Sequence, residues 1–130
     1  MDVADEVWNR ATLAGGSASQ RPGDLALTSV FGVHNLAMSG GLLDAVERAA
    51  PIQLDAAEAG YRWLGLDAAA DVIAMLRREI ENATLDDDHL ANALELRADE
   101  EYNRAVPTDQ TIFSAFHAKF VADPGAFAPV

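Results

Sequence analysis

Apolar residues recur along this 130-residue chain at a helical period, and the breaks between the runs divide it into about seven helical segments. The first runs from about Asp2 to Ala14, with Val3, Val7 and Ala11 on one face and Trp8 beside them. Gly15, Gly16, Ser17 and Ser19 then form a flexible link to Pro22. Asp24 is placed to cap a second helix reaching about Met38, with Leu27, Val30, Phe31, His34 and Met38 on one stripe. Val33, Leu36 and Ala37 make its other side apolar as well, which predicts a central helix buried on most faces.

Ser39-Gly40-Gly41 breaks the pattern, because glycine accepts the positive φ of a tight helix–helix corner. A short helix follows, with Leu42, Leu43, Val46 and Ala50 inward. Pro51 suits the first turn of the next, which carries Ile52, Ala56, Ala59 and Trp63 on one face and ends at Gly65. Asp67 is a candidate N-cap for the clearest amphipathic helix, with Ala69, Val72, Ile73, Leu76, Ile80 and Ala83 in period. Thr84 to Asp87 has the spacing of a capping box, opening a helix whose apolar face is Leu90, Leu94, Ala98 and Tyr102. Pro107-Thr108 starts a last helix with Ile112, Phe113, Phe116 and Phe120 inward, and Pro124-Gly125 stops it. No useful strand-period segment or internal repeat interrupts this series. The expectation is an all-α, single-domain bundle of six to seven helices over residues 1–130. Phe31, Trp63, Val72, Leu76 and Phe116 should be among its most buried residues.

Composition supports helices, since alanine is the commonest residue and loses no side-chain entropy in a helix. There is no cysteine, so disulfides, thiolate metal sites and cysteine nucleophiles are excluded, and a cytoplasmic setting is expected. No signal peptide or membrane-spanning run is visible. Charge changes the picture more. The net charge is −12, and the stretch from Glu79 to Glu101 holds nine carboxylates against the single arginine Arg97. Phosphates would be repelled, so neither nucleic acid nor an anionic membrane is an expected ligand.

Little in the sequence points to catalysis. The histidines His34, His89 and His117 have no metal-ligand spacing. His34 reads as a hydrogen-bonded core or boundary residue, His89 as a local counter-charge among acids, and His117 as semi-buried beside Phe113 and Phe120. Asp86-Asp87-Asp88 fails as a calcium loop, because the sixth and twelfth positions hold Ala91 and Arg97 where glycine and glutamate are needed. Ser39 has a faint nucleophile-elbow spacing but follows a helix instead of a strand, and no glycine-rich phosphate loop is present. Tyr61 and Tyr102 are candidates for hydroxyls at an interface. A hydrolase using Glu58, Asp67 and Asp71 is the enzymatic alternative, without a complementary nucleophile or metal. No cofactor is expected.

Four motifs carry a resemblance over about Asp24 to Phe127. They are Ser39-Gly40-Gly41-Leu42, Ala59-Gly60-Tyr61-Arg62-Trp63-Leu64-Gly65, Glu100-Glu101-Tyr102, and the ending Phe120…Pro124…Phe127. Here the chain resembles a bacterial all-helical family best known for a DNA-mimic protein. Ser39 and Leu42 stand where that family has asparagine and an aromatic. The resemblance implies a helical fold and a non-catalytic protein that offers acid to a DNA-binding partner.

Carboxylates four residues apart on a helix lie about 6 Å apart along its axis, close to the separation of adjacent phosphates on a DNA strand. The candidate partner-binding residues are therefore Asp86, Asp87, Asp88, Glu95, Asp99, Glu100, Glu101 and Asp109. Asp88, Glu95 and Asp99 approximate such a row and should project to solvent. The expected partner is a basic protein, either a DNA-binding regulator or a nuclease toxin for which this chain is the immunity protein. A homodimer is compatible with this reading. An accessory or scaffold domain whose charge serves solubility is the competing reading.

Overall fold

A computed structural model describes residues 2–13, 19–82 and 88–130. Among these residues seven α-helices follow in order: α1 (Val3–Thr12), α2 (Pro22–Gly40), α3 (Leu42–Arg48), α4 (Pro51–Trp63), α5 (Asp67–Asn82), α6 (Asp88–Ala105) and α7 (Asp109–Ala122). A 3-10 turn at Pro124–Ala126 closes the series, and no strand occurs among the described residues. The all-α architecture agrees with the apolar periods. The capping box at Thr84 to Asp87 lies outside the described residues, as do Ala83 and all of the link but Ser19.

Local chemistry sets most boundaries. The side chain of Asp2 accepts from the Asp5 amide at 2.9 Å and caps α1. Thr108 does the same for α7, through the Gln110 amide at 3.2 Å. Pro22 and Pro51 each open a helix where a missing N–H costs nothing. Gly41 (φ +90°) and Gly65 (φ +82°) turn the chain at the two corners where a side chain would be strained.

The long α2 is the axis of the bundle, packing most extensively on α4 and next on α3. Its residues Leu27, Val30 and Val33 are fully buried. Gly60 of α4 permits the close crossing, since a Cβ there would stand 2.8 Å from the Ala26 carbonyl oxygen. One continuous cluster of buried side chains draws on all seven helices and on Phe127 of the tail. Its aromatic part centres on Phe116, which meets Trp8, Phe113, Phe120 and Phe127 at ring-centroid distances of 5.3–5.8 Å.

Several expectations need correction. Asp24 does not cap α2; it lies inside the first turn, wholly buried, where it binds Arg10 Nη2 at 2.9 Å and the Ala128 amide at 2.8 Å. Arg10 and Arg21 donate further bonds to tail carbonyls at Gly125, Phe127, Ala128 and Pro129, so the tail is strapped across α1 and α2. Arg10 Nε is buried with no partner among the described residues. Val3, Met38 and Leu90 are more than half exposed because each stands at the end of its stripe, beyond the packed middle. Ala50 is exposed and Ala49 takes the inward position.

The largest correction concerns α4. Its Ile52, Ala56 and Ala59 face solvent, Ile52 with 79% exposure, and Trp63 is half-buried. Leu54, Ala57, Gly60 and Tyr61 form the inward face instead. Both stripes have helical spacing, and the one carrying the glycine wins because it alone allows α2 to approach. Phe31, Val72, Leu76 and Phe116 are buried as expected.

Candidate functional site

α6 rests on the core by the stripe Leu94, Ala98 and Tyr102 and leaves most of its remaining surface to solvent. Nothing apolar is needed on that outer side, so the sequence there is free to be acidic. Asp88, Glu95 and Glu100 are exposed. Among the described residues none of the three is in an ion pair with an arginine. Asp88, Glu95 and Asp99 fall along one flank, separated by about 10 Å and 6 Å of helix rise. Asp86 and Asp87 lie outside the described residues.

Asp99 does not project freely to solvent. It is half-buried, and its Oδ1 accepts from the Leu42 amide at 3.0 Å. The first N–H of α3 therefore finds its acceptor on α6, in place of a local capping side chain. Gly41 keeps the approach open, for a Cβ there would stand 3.3 Å from the carboxylate. Asp99→Ala is expected to cost about 0.5–2 kcal/mol, the usual effect of losing a cap, measurable by urea unfolding, with Glu95→Ala near neutral as control.

Glu101 is half-buried beside the shallow hollow formed by Ala68, Val72, Arg104 and Ala105. Asp109, at the start of α7, is exposed but engaged: its Oδ1 lies 2.7 Å from His34 Nε2. His34 is 1% exposed, a hydrogen-bonded core histidine. Its Nδ1 lies 2.7 Å from the Tyr102 hydroxyl, which is in turn hydrogen-bonded to the Tyr61 hydroxyl. With the imidazole neutral, the ionised Asp109 fixes the direction of the chain. Tyr61 donates to Tyr102, Tyr102 donates to Nδ1, and Nε2–H donates to Asp109.

This relay ties α4, α6, α2 and α7 together through polar atoms that all have partners, buried except at Asp109. Tyr61 and Tyr102 are at most 1% exposed, so they are core residues and offer no hydroxyl to an interface. Burial pushes the Tyr61 hydroxyl far above its usual range, and the neighbouring Tyr102 adds to this. Burial likewise raises Tyr102. Sequence reasoning missed the relay, although Leu54, Ala57, Tyr61 and Leu64 share a face on which Tyr61 had to be buried.

Elsewhere five carboxylates are taken up by arginines on the surface. Asp55 and Glu58 share Arg77, Asp71 binds Arg62 at 2.7 Å, Asp44 binds Arg48, and Glu79 binds Arg97. Glu58 and Asp71 thus stand in separate ion pairs, while Asp67 begins α5 in exposed surface. His117 is exposed and stacks on Phe113, which corrects its semi-buried placement. Among the described residues no group of three or more His, Asp or Glu is arranged to hold a metal. No helix among them is long and apolar enough to cross a membrane. No family model matches the chain, nor does any curated protein or solved structure.

Proposed function

We propose that this chain is a non-catalytic binding protein that presents the outer side of α6 to a basic protein, as a DNA mimic or an inhibitor of the immunity type. One observation carries the reading: Asp88, Glu95 and Glu100 are exposed and, among the described residues, in no ion pair with an arginine, while Arg10, Arg48, Arg62, Arg77 and Arg97 are engaged in internal ion pairs. The charge on this outer side of α6 is therefore left for another molecule. An arginine-rich surface shaped for phosphates can bind such carboxylates through charge-assisted hydrogen bonds, and complementary charge speeds its encounter. Asp99 and Asp109 hold the flank in place from within and are not counted among the docking groups.

The test is a pull-down with the immobilised protein across a salt series. A basic partner eluting as salt rises is expected, and the triple variant Asp88→Lys, Glu95→Lys, Glu100→Lys should weaken its binding by about 10- to 100-fold and flatten the salt dependence. Because Asp99 is left intact, the variant should keep its fold. Failure to recover any basic partner, or binding indifferent to the three reversals, favours an accessory domain with charge for solubility.

A further inference from the structure

The outward face of α4 carries a pattern that the acidic flank does not use and the core uses only at Trp63, which packs edge-on against Phe127 at 5.9 Å and lies under Lys119 Nζ at 5.2 Å. Ile52, Ala56, Ala59 and Trp63 recur at intervals of four, three and four residues, the seam of a two-helix coil. The stripe is also symmetric in size about its midpoint, with a large residue at each end and two alanines between. Beside it, Leu25 of α2 is 42% exposed, and an apolar groove of about 300 Å³ runs between α2 and α4 over Ala26 and Gly60.

Charge specifies the occupant. Asp55 and Arg62 lie on the same flank of this stripe, seven residues apart, both exposed and opposite in sign. In an antiparallel helix pair, residues on the same flank of the two helices face each other. Two copies of α4 packed antiparallel about their midpoint bring Asp55 of each to Arg62 of the other. The same operation sets Ile52 of each copy against Trp63 and Leu25 of the other, with the alanines at the close approach. Asp55 already binds Arg77, and Arg62 binds Asp71. A carboxylate has two oxygens and a guanidinium five donors, so each has capacity for a second partner.

We infer that the α2–α4 face is a homodimer interface in which a second copy of this chain packs its α4 antiparallel against the first. The inference stands independently of the acidic flank. The contact is of the small, weak class, below about 1,200 Å².

The experiment is sedimentation velocity on the full chain from about 5 to 500 µM, a range suited to weak association. The wild type is expected to shift from monomer to dimer over this range. Ile52→Glu, at an exposed position, should remain monomeric with helicity unchanged by circular dichroism. Asp55→Arg alone and Arg62→Asp alone should each weaken association by about tenfold or more, through two like-charge contacts per dimer. An equimolar mixture of those two variants pairs opposite charges again and should restore association to about the wild-type level. A wild type that stays monomeric throughout overturns the inference. So does a dimer insensitive to Ile52→Glu, or a mixture that associates no better than its components.

Discussion

Raising the pH above about 10 is expected to unfold the protein in one transition at which both tyrosines ionise together. The chain has two tyrosines, and both lie in the relay with hydroxyls raised above their usual range by burial. The unfolded chain gives up these protons near the ordinary value, while the folded chain keeps them. Above that pH the folded state therefore binds more protons, and stability falls as pH rises. The slope is about 1.4 kcal/mol per pH unit for each tyrosine, against a typical total margin of about 5–15 kcal/mol. Stability from this source is fully present below the ordinary tyrosine value and declines above it. Phenolate absorbance should appear with loss of helical circular dichroism, in the same narrow interval. Ordinary titration of either phenol while the helices remain intact would contradict the buried relay.

Phe116→Ala is expected to cost about 3–5 kcal/mol, lowering the melting temperature by about 10–20 °C. Phe116 is fully buried, and its contacts with Trp8, Phe113, Phe120 and Phe127 connect α1, α7 and the tail. Rigid rings on several sides limit collapse into the space left behind, so the cavity term adds to the lost transfer energy. Thermal unfolding followed by circular dichroism measures it. Ile52→Ala is the control, since a residue 79% exposed has little burial to lose, and an equal effect at both positions would refute this assignment of the core.

The helices were legible because their stops are local. Gly41, Gly65, Pro51 and Thr108 act through their own φ angles or hydroxyls, and no distant partner is needed to see them. Which face turns inward was legible wherever one face alone is apolar. α5 is the clear instance, with Ala69, Val72, Ile73 and Leu76 buried. In α4 two faces compete, and the choice rests on Gly60 meeting Ala26 of another helix, a fact no single window contains.

The candidate site divides in the same way. Exposure of Asp88, Glu95 and Glu100 follows from their positions off the Leu94–Ala98–Tyr102 stripe, which the sequence displays. The engagement of Asp99 with Leu42 and of Asp109 with His34 joins residues 57 and 75 positions apart. Charge counting treated all eight acids alike. Two of them instead have acceptor roles within the fold, set by tertiary contacts invisible to composition.

The strap formed by Arg10, Arg21 and Asp24 has a kinetic meaning. Arg10 meets Pro129 across 119 positions of sequence, so the loop it closes is nearly as long as the described chain. Closure of so long a loop adds entropy cost that shorter contacts avoid, and such contacts form after local helix pairs have reduced the search. The helices α2 to α5 follow one another closely, and each successive pair but α3 and α4 packs extensively. That segment is placed to assemble first, with α1 and the tail docking afterwards as a single cooperative piece. By the same logic they leave together during partial opening, since neither keeps the buried Asp24 satisfied without the other.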